Sequence, residues 1–135
     1  MNKKLWLSRL LIGTVLLINI QSALAFFFTP DRYAPFYELS GPVGAATIQG
    51  FGVLFLMWNV PYIFALTNPI KFRISLYQAV IMQTIGLVGE SIILWQLPNE
   101  HSLLGQYILR FIIFDGGGLI FLMLAVIVTR RVYLE

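Results

Sequence analysis

The chain has 135 residues, of which 59% are hydrophobic and only 11% charged, with a mean hydropathy of +0.82. That balance excludes the mixed surface of a soluble domain and leaves no room for a separate one. There is no cysteine, which removes disulfides, thiolate metal sites, iron–sulfur clusters and thiol redox catalysis, and the net charge of +3 gathers at segment ends, where it reports on headgroups rather than on nucleic acid.

Met1 to Arg9 is short and basic, and the run from Leu10 to Phe28 is apolar apart from Thr14, Asn19, Gln21 and Ser22. Two readings meet here. One is a retained first transmembrane helix over about 5–28. The other is a cleaved secretory signal ending at Ala23-Leu24-Ala25, a small-x-small pattern. Phe26, Phe27 and Phe28 carry the apolar run past that point and favour retention. Either way, the residues after Phe28 emerge on the outer side.

Thr29 to Pro42 forms the first external loop, broken by Pro30, Pro35 and Pro42. Tyr33, Phe36 and Tyr37 are expected to anchor it at headgroup level; a gate built from Asp31, Arg32 and Glu38 is the alternative. The second span covers about 43–66. Its first half (Gly44, Ala45, Ala46, Gly50, Gly52) suits close helix packing. Its second half contains Trp58-Asn59-Val60-Pro61, where Pro61 lacks the amide that would bond the Met57 carbonyl. The helix should kink there, either as a packing feature with Asn59 compensating or as a substrate-lined break.

Asn68-Pro69 and the basic Lys71 and Arg73 mark the next turn, followed by a third span over 74–97, the turn Pro98-Asn99-Glu100-His101, and a fourth span over 102–129 closed by Arg130 and Arg131. Basic residues thus lie at the N-terminus, the second loop and the C-terminus. By the positive-inside rule both termini are cytoplasmic. The expected fold is all-α, an integral membrane antiparallel four-helix bundle forming one domain over 1–135, in a bacterial-type inner (plasma) membrane.

Three ionisable residues, Glu90, Arg110 and Asp115, fall inside the last two spans. Such groups are expensive in lipid, so they face partners, water or a functional site. Glu90 lies seven residues before Leu97 and Arg110 eight after Ser102, so both sit roughly 10–12 Å below the outer edge. At matched depth they are expected to pair. Gln21 and Gln49 come near the same height, and Gln83, Asp115 and Asn59 form a second layer about 10 Å further in by the same counting. Gln83, Gly86 and Glu90 share one helix face. Arg110 and Asp115, five apart, diverge by about 140°. The run Gly116-Gly117-Gly118 beside Asp115 implies close packing, a bend or exposed backbone. Asp115, with no evident basic partner, suits a proton carrier or a hydrogen-bond donor to a carbonyl ligand, and His101 reads as a solvated loop residue.

One histidine cannot supply a metal or bis-histidine haem site, and neither a phosphate loop nor a serine with a histidine base at membrane depth is present. Soluble-cofactor enzymology is therefore not expected. Arg9-Leu10-Leu11-Ile12-Gly13 at the opening of the first helix, the Pro-and-aromatic external loop, the Gly-rich second helix and four spans in this length resemble the DoxX-like membrane proteins. The family's acidic residue with following glycines sits within the second helix; here Glu38-Leu39-Ser40-Gly41 lies at its outer edge. The resemblance implies a small subunit associated with quinone-linked redox partners. The functional expectation is a non-catalytic or accessory subunit, next to a larger membrane redox or assembly partner, whose network of Glu90, Arg110, Asp115, Asn59 and Gln83 holds a quinone or lipid headgroup. A self-associating proton-coupled transporter, carried by Asp115 and the Pro61 break, is the competing expectation. A lipid-directed enzyme using Glu90 and Asp115 as acid and base is the third.

Overall fold

A computed structural model of the chain describes residues 3–133, with side chains described over 3–130. The side chain of Arg131, expected to close the last span, lies outside that set. Every regular element among the described residues is helical: α1 (Lys3–Phe28), α2 (Pro30–Tyr33) running into a 3-10 turn (Ala34–Tyr37), α3 (Gly41–Trp58), α4 (Val60–Thr67), α5 (Arg73–Gln96) and α6 (Ser102–Tyr133). Four stretches, α1, α3 with α4, α5 and α6, are each long and apolar enough to cross a membrane. Their outward surface matches that role. Trp95 is 84% exposed, Ile74 74% and Phe28 73%, exposures that water would penalise and lipid tails would not.

The four helices close into a ring in which α1 packs on α3 and α6, and α5 packs on α6 and α4. Side-chain bonds pin both ends. At one, the Ser8 hydroxyl lies 3.0 Å from that of Thr129, which donates to the Ala125 carbonyl at 2.7 Å, and Arg9 donates to the Thr67 carbonyl. Ile12, Val15, Leu16, Leu76, Leu122 and Ala125 fill the core above these bonds. At the other end Glu38 Oε2 lies 2.5 Å from His101 Nδ1, joining the α2–α3 connection to the α5–α6 turn. His101 is thus a partly exposed turn residue, as expected, and also a tether between the two connections.

The loop aromatics pack on neighbouring rings. Phe36 stacks on Tyr107 with ring centres 4.8 Å apart, while Tyr33 and Tyr37 pack on Phe26, which also touches Phe55 and Phe111. The 3-10 turn packs these rings, partly buried, as a cap on the bundle. Burial first, then the neighbouring Tyr107 and Glu90, push the Tyr37 phenol above its ordinary range.

Small residues set the position of α3. Gly44, Ile48 and Gly52 recur every four residues on its buried face. A Cβ on Gly52 would stand 2.7 Å from the Ala23 carbonyl oxygen and 3.0 Å from the Phe27 nitrogen of α1, so only glycine permits this approach. Gln49 adds a 3.2 Å bond to the Phe27 carbonyl. At Asn59 the helix breaks for one residue (φ −77°, ψ −10°) and α4 begins with Pro61 in its first turn. The Asn59 amide does not compensate for the missing bond: it donates to the Phe55 carbonyl at 2.6 Å and not to that of Met57. The break redirects the chain. α3 lies along α1, whereas α4 reaches α5 through Tyr62, whose hydroxyl is 3.3 Å from the Ala79 carbonyl.

Gly52→Leu should therefore destabilise the fold by about 1–3 kcal/mol through overpacking, while Gly50→Leu, with nothing within 4 Å of its Cβ position, should leave stability nearly unchanged. Reversible unfolding in mixed detergent micelles measures both, and equal losses would rule out the close α1–α3 approach.

Candidate functional site

Because α3 follows α1 and not α5, the facing sides of α3 and α5 line a cavity of about 780 Å³ instead of touching. Its walls are largely aromatic: Phe51, Phe55 and Trp58 from α3, Phe111 and Phe114 from α6, with Tyr37 and Tyr107 at one end. Ile85, Ile93 and Trp58 line it while remaining 66%, 53% and 53% exposed, so the space opens sideways through the outer surface of the bundle.

The polar end is built from α5 and α6 by reciprocal fit. The Asp115 carboxyl occupies the space where a Cβ on Gly86 would lie, and the Gln83 amide fills the corresponding space at Gly118, 2.6 Å from that Cβ position. One glycine on each helix admits the polar side chain of the other. Gln83 Nε2 donates to Asp115 Oδ1 at 2.8 Å, and Gln83 Oε1 accepts from the Tyr62 hydroxyl at 2.6 Å. Asn19 of α1 and Glu90 of α5 line the same cavity. The chain of hydrogen bonds thus runs from α4 through α5 to α6. Gln83 is 4% exposed and Asn59 2%, so both are committed to the interior.

Glu90 and Arg110, expected to pair, do not: no ion pair joins them among the described residues, and Arg110 is an exposed residue at the cavity rim. Depth brought them level, but rotation decides. With Asp115 turned onto Gly86, a residue five positions earlier points about 140° away. Glu90 lines the cavity together with Asp115 instead. Asp115, expected to have no basic partner, accepts from the neutral Gln83 of α5. The upper polar layer does not assemble either, since Gln21 is exposed and Gln49 serves the α1–α3 contact. Gln83, Asp115, Glu90 and Asn59 line one cavity, and α6 passes through Gly116-Gly117-Gly118 without a break.

Sequence reasoning missed Tyr62, Asn19 and Ser22 as lining residues. Tyr62 was legible in part, because it follows Asn59 by three and so shares its helix face. Two buried oxygens at this end, Glu90 Oε2 and Asn59 Oδ1, have no hydrogen-bond donor. Among the described residues no three His, Asp or Glu side chains come together as a metal ion would require. Aromatic walls with a compact polar end suit an amphiphile whose ring-like head is held among Gln83, Asp115 and Glu90 and whose tail leaves between α3 and α5.

Gln83→Leu strips partners from both Asp115 and Tyr62 and should cost roughly 1–3 kcal/mol; in a double-mutant cycle with Asp115→Ala the coupling should be about 0.5–1.7 kcal/mol, and additive losses would show that the bond contributes nothing. Comparison with protein-family models, curated proteins and solved structures yields no significant match for this chain.

Proposed function

We propose that the chain is an antiparallel four-helix membrane protein with both termini cytoplasmic, in a bacterial-type inner membrane, acting as a non-catalytic or accessory subunit that holds a quinone or a lipid headgroup in the cavity between α3 and α5. The observation that carries this is the cavity: about 780 Å³, aromatic along its walls, polar at one end, and open toward the bilayer. The orientation is supported by Lys3, Lys4, Arg9, Lys71, Arg73 and Arg130, which belong to the segments meeting at the Arg9–Thr67 end. Retention of the first helix is supported by its packing on α3 and α6 and by Asn19 and Ser22 in the cavity wall; cleavage after Ala25 would remove that wall. The resemblance to DoxX-like proteins supports a redox or assembly partner in the membrane. Two partly buried carboxyl side chains, Glu90 and Asp115, on one cavity wall are also what a proton-coupled, self-associating transporter would use, and they favour that as the second reading.

Gly89 lines the cavity and has nothing within 4 Å of its Cβ position, so Gly89→Trp should fill the space without disturbing the helices. Native mass spectrometry of protein released from its own membrane in mild detergent should show a retained amphiphile that Gly89→Trp lacks at unchanged Tm; an empty wild-type cavity, or equal retention in the variant, would overturn the reading. For the transport reading, Asp115→Asn should abolish pH-driven flux in proteoliposomes, and unchanged flux removes Asp115 as the carrier.

A further inference from the structure

The geometry points to a second site, at the Arg9–Thr67 end of the bundle: a slot between α5 and α6 that takes an anionic phospholipid, its phosphate between Arg73 and Arg130. A pocket of about 180 Å³ opens there, lined by Ile70, Leu76, Tyr77 and Val126 as well as by the two arginines. It shares no residue with the α3–α5 cavity and has less than a quarter of its volume. Spacing orders the slot from polar to apolar. Leu76 follows Arg73 by three and Val126 precedes Arg130 by four, so each shares a helix face with the arginine of its own helix and lies roughly 5 Å deeper. Arg73 and Arg130 are exposed, whereas Leu76 and Val126 are buried. A phospholipid runs through the same sequence, charged phosphate outermost and acyl chain beneath. Ile74 and Ile127, next in the chain to the lining residues, are 74% and 46% exposed, a surface that lipid tails cover without cost.

Charge decides which head group fits. Lys3, Lys4, Arg9, Lys71, Arg73 and Arg130 belong to this end, while Asp31, Glu38 and Glu100 belong to the other and Glu90 and Asp115 to the interior of their spans. Even with Glu135, the sixth acid of the sequence, counted against those six cations, the excess is positive. A zwitterionic head would carry its own amine into that excess, whereas a head of phosphate and hydroxyls brings only the complementary charge. Guanidinium groups suit the phosphate because each presents parallel N–H donors to two of its oxygens. The remaining polar lining group, the Thr129 hydroxyl, is engaged with the Ala125 carbonyl and the Ser8 hydroxyl, so recognition rests on the arginines. Basic pockets between spans hold anionic head groups in this way.

The test titrates the full-length protein in detergent with phosphatidylglycerol or with phosphatidylcholine of the same acyl chains and reads bound lipid by native mass spectrometry. Phosphatidylglycerol should bind roughly tenfold more tightly, and Arg73→Gln/Arg130→Gln should remove that preference at unchanged Tm. Ile70→Trp, which fills the slot and keeps both charges, should remove it too and decides the matter if the arginine pair lowers Tm. Lys3→Gln/Lys71→Gln, the same loss of charge at the same end, should leave the preference in place, as should Gly89→Trp in the α3–α5 cavity. Equal binding of the two lipids by the wild type, or a preference that survives loss of the arginines, overturns the site. An equal effect of the lysine pair overturns it as well, since the attraction then belongs to the whole basic end. Loss of the preference in Gly89→Trp would move the lipid to the other cavity. Displacement of phosphatidylglycerol by inorganic phosphate at constant ionic strength would make the slot a site for a free anion and overturn the lipid assignment.

Discussion

A polar side chain inside a bilayer has no water to turn to, so the protein must meet it with another part of itself. In this chain that requirement falls on α5 and α6, and it is satisfied by exchange. Asp115 lies in the space left by Gly86, Gln83 in the space left by Gly118, and the two side chains bond to each other. The contact fixes rotation and register together. A turn of either helix would drive a carboxyl or an amide into backbone or lipid. The rest of the polar end depends on it, including the place of Glu90 in the cavity wall and the exposure of Arg110 at its rim.

A second constraint gives the cavity its walls. Gly52 draws α3 into backbone contact with α1, which is incompatible with lying against α5 at the same level. The one-residue break at Asn59 then returns the chain to α5 through α4. Two packing preferences along a single span therefore separate two helices over one half of the bundle and join them over the other. The aromatic cap of Phe36, Tyr37 and Tyr107 closes the end, and the Glu38–His101 tether holds the cap to the α5–α6 turn.

The four long apolar helices were legible because nothing in a 135-residue chain of this hydropathy competes with them. The inward face of the third span was legible in phase, through the spacing of Gln83, Gly86 and Glu90. The partner of that face was not. Counting rises gives depth, and depth made Glu90 and Arg110 level; it carries no information about how two helices are rotated against each other, which the glycines decide. The meaning of Gly118 is visible only once Gln83 stands opposite it. The packing of Tyr33, Phe36 and Tyr37 depends on a 3-10 turn ending at Glu38, which adopts a left-handed backbone (φ 57°) that its sequence neighbours do not announce. The bond of His101 to Glu38 spans 63 residues and has no local signal.

The reciprocal fit of α5 and α6 also bears on how the chain enters the membrane. α5 is the least apolar of the four spans, and Gln83 and Glu90 are among its polar residues. Alone in lipid it would expose both side chains to hydrocarbon, whereas α6 can shelter Gln83 at Gly118 and receives shelter for Asp115 at Gly86. The short turn between them makes the two a natural unit of insertion. Entry together with α6 would spare α5 a solitary passage through lipid, and its residence in the membrane would then rest on a segment synthesised after it.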